Sequence, residues 1–383
     1  MSEPVGLDEK FYAVSDTKRV SMRELLHSFE RHGTSRVTDL HLKVGLPPVY
    51  RVDGELKITN GRPLDEPTLT ALVRTLMNDA EWETLCSARS VNNSHLIGNH
   101  RFRVNCYHDR KGLALAIRAL DTSTPTIDMI GFPNRVWEDI VGLQQGLVLV
   151  TGATGVGKST TIAALLNHIA QTRACHIITL EDPIEYQIES SKAIISQRAV
   201  GRDVPGYERG LRDCLREDPD VIFVGEMTDQ ESTTWTLTAA ETGHLVFSGL
   251  HTRDTASTIN RILDLYPAIR AGEVANQFSM ALRYIISQKL VPRAGERGRV
   301  AAMEILNNTY AVANLIRQVK PEQIATLIQT QTRDVPEQRM STLEHSLAVL
   351  VRQGRITRDD ALKSANHPQL LIDELQRDDD AGR

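Results

Sequence analysis

The sequence predicts an α/β protein in which a small α+β domain precedes a larger domain built on a parallel sheet. The larger domain is indicated by short, unbroken apolar runs at residues 147–150, 176–180, 221–224 and 245–247, which are separated by helical patterns. Such runs are typical of strands buried on both faces, because helices cover a parallel sheet on both sides. A glycine-rich motif at residues 152–159 follows the first run directly.

Composition narrows the class of protein. The 383 residues are 41% hydrophobic and 24% charged, which is typical of a soluble chain of two domains. A net charge of −5 and only 5% aromatic residues disfavour nucleic acid as a partner. No apolar run approaches the roughly 18 residues of a membrane span, and the first ten residues lack the apolar core of a secretory signal. We therefore expect a cytoplasmic location.

The four cysteines indicate no metal or redox site. Cys86, Cys106, Cys175 and Cys214 stand far apart and form no C-x-x-C pair. We expect buried, reduced thiols, as is usual for free cysteine.

The domain boundaries are predicted from changes in composition and in the pattern of apolar residues along the chain. We predict a polar arm at residues 1–20, an α+β domain at 21–120, a linker rich in proline and glycine at 121–135 and the larger domain at 136–383. Beyond about residue 300 the pattern is helical, and it finishes in a charged tail.

Local patterns define the first domain. Ser21 and Glu24 have the spacing of a capping box, so a helix is expected to begin there. Asp53-Gly54 predicts the turn of a hairpin. Residues 101–107 and 113–119 predict a further pair of strands.

The motif at residues 152–159 matches G-x-x-x-x-G-K-[ST] in full, between a predicted strand and a predicted helix. Glycines let backbone N–H groups and the helix N-terminus face phosphate oxygens. Lys158 is expected at the β- and γ-phosphates of ATP, and the Ser159 hydroxyl on Mg²⁺. The alternative is a glycine-rich turn without a ligand. The predicted nucleotide-binding residues are Gly152, Ala153, Thr154, Gly155, Val156, Gly157, Lys158, Ser159 and Thr160.

Acidic residues follow two of the predicted strands. Glu226 comes just after the run at 221–224, where a Walker B acid that holds the metal shell belongs. Glu181, Asp182 and Glu185 follow the run at 176–180. Because parallel strands end at one edge of a sheet, these acids are expected near the γ-phosphate. A surface turn of acids is the alternative, and for Glu181 and Asp182 the two interpretations stay open.

Two histidines flank the last predicted strand of this group. His244 precedes the run at 245–247, and His251 follows it, with Thr252 next. A histidine near a γ-phosphate can sense it by hydrogen bonding or stabilise transition-state charge. The alternative for each is an ordinary histidine at the end of a strand.

Taken together, these motifs closely resemble the secretion ATPase superfamily and, within it, the PilT/PilU branch of type IV pilus retraction motors. The resemblance extends over most of residues 21–365. It is carried by residues 152–161, 181–185, 215–227, 239–246 and 251–252, and in the first domain by 39–48, 51–54 and 101–105.

The resemblance implies a PAS-like N-terminal domain followed by a RecA-like P-loop ATPase domain with a helical C-terminal portion. It implies that Glu185 is the general base, that Glu226 is the Walker B acid and that His244 and His251 form the histidine box. Arg103 and Arg118 match arginines that reach a nucleotide across a domain or subunit boundary, as an arginine finger does. The alternative for each is a solvated arginine on a strand.

The expected function is that of an ATP-hydrolysing cytoplasmic ring motor that powers type IV pilus retraction and twitching motility. The resemblance implies a homo-hexamer, an inner-membrane platform protein at the pilus base as partner, and a paralogous motor ATPase as a further partner. The tetracysteine insertion of extension and type II secretion ATPases is missing, which favours the retraction branch.

One stretch departs from the family pattern. Residues 311–318 correspond to Ala-Ile-Arg-Asn-Leu-Ile-Arg-Glu of retraction motors, but Ala313 replaces the first arginine and Gln318 the final acid. This departure leaves open two alternatives, an accessory PilU-like ATPase that modulates a partner motor and an ATPase of a related secretion system. A nucleic-acid translocase is disfavoured by the acidic net charge.

Overall fold

The computed structural model describes residues 6–29, 37–52, 55–98, 100–120, 124–295 and 298–381. The chain divides into two compact units, Met1–Ser123 and Thr124–Arg383, and each is described separately below. The boundary between them falls inside the stretch predicted as a linker, 121–135.

The first unit is an α+β structure built on one antiparallel sheet. Its six strands lie in the order β5-β4-β3-β8-β7-β6. The elements are β1 (Tyr12–Ala13), β2 (Arg19–Val20), α1 (Met22–Leu26), β3 (Val37–Lys43), β4 (Val49–Val52), β5 (Glu55–Ile58), α2 (Glu66–Arg74), α3 (Asp79–Ala88), β6 (Ser90–Ile97), β7 (His100–Asp109) and β8 (Gly112–Leu120), with a 3-10 turn at His27–Phe29.

Local sequence signals of this unit are confirmed. The Ser21 hydroxyl accepts a hydrogen bond from the Glu24 N–H at 3.2 Å, and the Glu24 carboxylate accepts one from the Ser21 N–H at 2.8 Å, so the capping box is complete. Strands β4 and β5 pair as the predicted hairpin, and β7 pairs with β8. The predicted turn at residues 53–54 lies outside the described residues.

The second unit contains a seven-stranded sheet with helices around it. Its elements are α4 (Ile127–Ile130), α5 (Val136–Gly142), β9 (Gly146–Thr151), α6 (Lys158–Thr172), β10 (His176–Glu181), β11 (Ile194–Ala199), α7 (Tyr207–Cys214), β12 (Val221–Glu226), α8 (Gln230–Glu241), β13 (Leu245–Leu250), α9 (Thr255–Leu263), α10 (Ala271–Ala281), β14 (Leu282–Pro292), β15 (Arg299–Asn307), α11 (Tyr310–Arg317), α12 (Ile324–Asp334), α13 (Leu343–Arg352), α14 (Arg358–Ser364) and α15 (Pro368–Ala381), with 3-10 turns at Ala268–Arg270, Pro321–Gln323 and Pro336–Gln338.

The sheet of the second unit is parallel except at one edge. The strand order is β11-β10-β12-β13-β9-β14-β15, and only β15 runs antiparallel to its neighbour β14 among the described strands. Successive residues of β9 belong to different cores, because side chains alternate between the faces of a strand. Val148 packs into one apolar cluster and Leu149 into the other, and both are fully buried. The four apolar runs are therefore confirmed as strands covered on both faces.

Three strands of the second unit were not predicted from the sequence. β11, β14 and β15 were not predicted, and the expectation of helix beyond residue 300 is wrong for Arg299–Asn307. The apolar run of β14 is interrupted by Ser287 and Gln288, which are polar but buried and hydrogen-bonded. Helices α13 to α15 pack on the outer part of this strand pair in a separate apolar cluster.

Two expectations from composition have different outcomes. No helix in the described part of the chain is long and apolar enough to cross a membrane. The expected burial of the cysteines is confirmed for Cys106 and Cys214 and is wrong for Cys86, which is exposed on α3, whereas Cys175 is only partly buried.

Candidate active site

The phosphate loop connects β9 to α6 as the motif predicts. Gly157 stands at the N-cap of α6 with a φ of +89°, and Gly152 and Gly155 have φ values of +145° and +79°. Residues other than glycine rarely adopt these positive φ values. The three glycines therefore allow the turn that places the N-terminus of α6 over the loop, and this arrangement suits phosphate oxygens.

Lys158 lies at the centre of the site. Its ammonium donates hydrogen bonds to the carbonyl oxygens of Gly152 at 3.0 Å and Ala153 at 3.2 Å, and it lies 3.1 Å from Nδ1 of His251. Burial lowers the pKa of Lys158, and the negative charges of Glu226 and then Glu185 oppose that shift. Both carboxylates thus lie close enough to act on the same ammonium.

His251 connects the lysine to the acid at the end of β12. Its Nε2 lies 3.4 Å from Oε1 of Glu226. Since the ammonium of Lys158 can only donate, Nδ1 of His251 accepts and Nε2 carries the proton toward Glu226. Glu226, His251 and Lys158 therefore form one polar chain at the carboxyl edge of the sheet.

Glu181 is the last residue of β10 and is buried, unlike the half-buried Glu185. Its Oε1 accepts hydrogen bonds from the Thr179 hydroxyl at 2.6 Å and from Nε2 of Gln197 at 3.2 Å. Burial raises the pKa of Glu181 to about 7, against the lowering effect of these hydrogen bonds. The sequence left open whether Glu181 and Asp182 belong to the site or to a surface turn. Glu181 is a buried acid at the end of β10 beside Glu185, whereas Asp182 is exposed.

His244 lies at the other edge of the sheet, which corrects its placement in the catalytic group. It precedes β13, whose first residue, Leu245, is paired with Gly146 at the start of β9. Seven residue-to-residue steps of extended chain lead from it to His251, a distance of about 23 Å at the usual rise per residue. Its Nδ1 lies 2.9 Å from the carbonyl oxygen of Ala239, which caps the end of α8. Flanking the same strand does not bring the two histidines together, because a strand has two distant ends.

Two of the remaining predicted residues, Ser159 and Thr160, lie at the start of α6, and Thr154 lies in the loop before it. Ser159 and Thr160 are half-buried, and the Thr160 hydroxyl is 2.9 Å from the hydroxyl of Tyr186. The Thr154 hydroxyl is 3.5 Å from Nδ1 of His251. These contacts connect the loop with the segments that follow β10 and β13.

Several polar residues of the site were missed by sequence reasoning. The hydroxyl of Tyr207 lies among acids: burial and the charges of Asp182, Glu226 and Glu181 raise its pKa. Gln288 of β14 binds the phosphate loop. The available signal was that a polar side chain within an apolar strand needs a buried partner, but the sequence does not say which one.

Comparison with known proteins decides the family. The sequence matches the family described as type II/IV secretion system protein over residues 49–358. It is 42% identical to the type IV pilus retraction ATPase PilT of Pseudomonas aeruginosa, over 91% of this chain and 99% of that protein. The chain belongs to the type II/IV secretion system protein family.

Two further members of this secretion family support the assignment. The type IV pilus ATPase PilU of Pseudomonas aeruginosa is 34% identical over 88% of this chain and 87% of its own length. A crystal structure of the pilus retraction motor PilT with bound ADP superposes with a TM-score of 0.81 at 40% identity, covering 91% of this chain and 98% of that one. The resemblance inferred from the motifs is thereby confirmed.

The arginines that this secretion family led us to expect lie in the first unit. Arg103 on β7 and Arg118 on β8 are both exposed. Nε of Arg118 donates to Oδ1 of the buried Asp39 at 2.7 Å, and Nε of Arg51 lies 3.6 Å from Oδ2 of the same carboxylate. Among the described residues, no ion pair is found for Arg103. The geometry of this unit by itself leaves the guanidinium of Arg103 open to an anion.

The stretch that departs from the pattern of this secretion family forms α11. Ala313 is 9% exposed and faces the core, whereas Gln318 is exposed at the C-cap. An arginine side chain at position 313 would have to extend along the helix to reach water. The departure therefore changes one buried and one exposed position, and both are outside the phosphate loop.

Proposed function

We propose that this chain is an ATP-hydrolysing motor that powers type IV pilus retraction and, through it, twitching motility. The observation that carries the proposal is the phosphate loop with Lys158 under the joint influence of Glu226 and Glu185. This site occurs in a chain that is 42% identical to a retraction ATPase along nearly its whole length.

The proposed roles follow from the chemistry of each side chain. Residues 152–160 bind the phosphates through backbone N–H groups, with Lys158 as a point charge. Glu185 orients and deprotonates the attacking water, and a carboxylate beside the γ-phosphate is suited to that role. His251, whose Nε2 lies 3.4 Å from Oε1 of Glu226, is placed to respond to the γ-phosphate.

The residues present fit a magnesium ion. The Ser159 hydroxyl and the Glu226 carboxylate are half-buried oxygen donors on neighbouring elements, and Mg²⁺ prefers oxygen ligands. When bound, the ion would supply charge neutralisation between the β- and γ-phosphates. Ser159 and Glu226 would hold the ion, and Glu226 would do so partly through water molecules bound to the ion.

We further propose how the chain is organised. The first unit is PAS-like and the second RecA-like, with the helical portion after β15 at its C-terminus. The expected domains 21–120 and 136–383 lie within these two units, which also take in residues on either side of those limits. Support comes from the superposition on PilT, whose TM-score is 0.81. The assembly is a homo-hexameric ring in the cytoplasm, docked on an inner-membrane platform protein at the pilus base. Within the ring, Arg103 and Arg118 serve a nucleotide bound by another subunit.

Turnover by a lysine variant tests the site. Lys158→Ala should abolish ATP hydrolysis by the purified full chain, because no other cation contacts the loop carbonyls among the described residues. Lys192→Ala, which removes an exposed lysine of the same unit, is the control and should hydrolyse ATP normally. Hydrolysis at the native rate by Lys158→Ala would refute the assignment of the site.

A second candidate function is that of an accessory ATPase that modulates a partner motor. The observation that favours it is α11, where Ala313 and Gln318 replace residues of the retraction pattern. The discriminating experiment expresses this chain in cells that lack every other retraction ATPase. Restored pilus retraction supports the motor, whereas retraction that returns only with a paralogous motor supports the accessory role. Hydrolysis stimulated by DNA would instead favour a nucleic-acid translocase.

A further inference from the structure

We propose that Gln288 is a positioning residue that holds the phosphate loop in its binding shape. The role rests on the proposed nucleotide site and concerns a residue on a different strand from the motif. Gln288 touches neither the predicted metal ligands nor the predicted base among its recorded hydrogen bonds. It acts on the nucleotide through the loop.

The sheet brings Gln288 to the loop. β14 lies beside β9 in parallel, with Ser287 opposite Thr151. Gln288 is therefore next to Gly152, the residue at which the chain leaves the sheet to form the loop. A residue in this position reaches both ends of the loop without crossing the nucleotide site.

The side chain bridges the two ends of the turn into α6. Its Nε2 donates to the carbonyl oxygen of Val156 at 2.7 Å, and its Oε1 accepts from the hydroxyl of Thr161 at 2.9 Å. Val156 precedes the N-cap of α6, and Thr161 belongs to the first turn of that helix. The amide therefore fixes the distance between the last part of the loop and the helix whose N-terminus faces the phosphates.

Gln288 also limits which residues fit at two positions of the loop. A Cβ atom on Gly152 would lie 2.5 Å from the carbonyl oxygen of Gln288, and one on Gly157 would lie 3.4 Å from its Nε2. Two glycines of the motif thus border the space that Gln288 fills. Part of the need for glycine in this loop comes from β14 rather than from the phosphates.

Burial makes the amide chemistry necessary. Gln288 and Thr161 are 2% and 1% exposed, so water cannot replace the partners that either group would lose. An apolar side chain of the same length would leave the Val156 carbonyl and the Thr161 hydroxyl unpaired, which is costly in a buried site. The loop would move to satisfy them, and the phosphate-binding N–H groups would move with it.

The neighbours of Gln288 provide matched controls on the same strand. Ser287 and Lys289 point to the opposite face, because side chains alternate along a strand. The Ser287 hydroxyl donates to the carbonyl oxygen of Arg253 at 3.1 Å, and Nζ of Lys289 donates to Ser364 and Asn366 at 2.9 and 2.7 Å. A change at Lys289 disturbs β14 without touching the phosphate loop.

The experiment measures the dissociation constant for ADP in the purified full chain, with the melting temperature recorded in parallel. Gln288→Met should weaken ADP binding about tenfold, as expected for two lost hydrogen bonds to buried groups. Lys289→Met should bind ADP within about twofold of the native chain. Gln288→Glu keeps the acceptor but not the donor and adds a negative charge near the phosphates, so it should bind no better than Gln288→Met.

A second variant covers the case in which Gln288→Met fails to fold. Thr161→Val removes the hydroxyl on the other side of the bridge, and it should weaken ADP binding several-fold. In the double variant the two effects should not add, because both remove the same contact. Fully additive losses would overturn the role.

The outcomes separate this role from the proposed function. If the native chain fails to bind ADP, the nucleotide site itself is wrong, and the role of Gln288 is lost with it. If the native chain binds ADP and both Gln288→Met and Thr161→Val bind it equally well, only the positioning role is overturned. Equal losses for Gln288→Met and Lys289→Met would assign the effect to β14 as a whole and would also overturn the role.

Discussion

Arg103 and Arg118 face each other across the neighbouring antiparallel strands β7 and β8, with their Cα atoms in register. Residues directly opposite point to the same face, and like charges in such a pair are destabilising. Asp39, opposite Arg118 on β3, neutralises one of the two guanidinium groups. The second positive charge is left for an anion from outside the unit, which is what an arginine that serves a nucleotide requires.

Subunit mixing tests this role of Arg103. Arg103→Ala and Lys158→Ala should each be inactive alone, and activity should return when the two are dissociated and assembled together, because one subunit then supplies each part. Hydrolysis of ATP is the measurement. Arg110→Ala, which removes an exposed arginine at the end of the same strand pair, should stay active by itself. Native hydrolysis by Arg103→Ala would exclude the arginine from the mechanism.

Glycine substitutions test the close approach between the loop and β14. Gly152→Ala should lower affinity for ADP more than tenfold, since its Cβ would lie 2.5 Å from the Gln288 carbonyl oxygen and 2.7 Å from a methyl group of Val156. Gly155→Ala is the control, because Gly155 also has a positive φ, +79° against +145° at Gly152, but has nothing within 4 Å of its Cβ. Its stability should fall by only the roughly 1–2 kcal/mol that a left-handed backbone costs a residue with a Cβ atom, and its affinity for ADP should fall less than that of Gly152→Ala. Equal losses for the two variants would contradict the steric explanation.

The raised pKa of Glu181 predicts a pH dependence of stability. The folded state holds this proton up to about pH 7, whereas the unfolded chain releases it near the ordinary value of 4.5. Between these values the folded state binds more protons, so its contribution to the free energy of unfolding falls as pH rises.

Glu181→Gln should therefore flatten the stability profile between about pH 4.5 and 7. The amide oxygen can still accept from the Thr179 hydroxyl. Urea unfolding at several pH values is the measurement, and Glu189→Gln, at an exposed position after the same strand, should keep the native profile. Parallel profiles for native chain and Glu181→Gln would show that Glu181 does not titrate in this range.

The C-terminal helix predicts the opposite pH dependence. Glu374 on α15 contacts His345 and Arg333, and hydrogen bonds from these two groups lower its pKa to about 2. This stabilisation is present above the ordinary pKa of 4.5 and is lost as pH falls toward 2.

Glu374→Gln should consequently destabilise α15 at pH 7 and lose its effect in acid. Amide hydrogen exchange of α15 measures the change, with Asp373→Asn, at the adjacent position, as the control. A difference from the native chain that persists unchanged down to pH 3 would exclude the ion pair as its cause.

The sequence predicted the structure best where a local pattern of residues is compatible with only one local conformation. The glycines of the phosphate loop, the capping box at Ser21 and the apolar runs of the parallel strands need little context, and the structure has them where they were expected. His244 was misplaced because a motif gives the order of residues along the chain but does not say at which end of a strand the functional site lies. Gln288 was missed because its partners, Val156 and Thr161, are more than a hundred residues away.

The row of charges across the first sheet makes the protein sensitive to ionic strength. Arg51, Asp39, Arg118 and Arg103 lie side by side on four neighbouring strand positions and carry a formal excess of two positive charges, in a chain whose net charge is −5. Salt screens exposed charges over about 8 Å at physiological ionic strength. Attraction between this cationic row and a polyphosphate will weaken as salt rises, whereas the hydrogen-bonded contact of Arg118 with the buried Asp39 will change less. Turnover measured in dilute buffer will thus overstate the contribution of Arg103 relative to the cell.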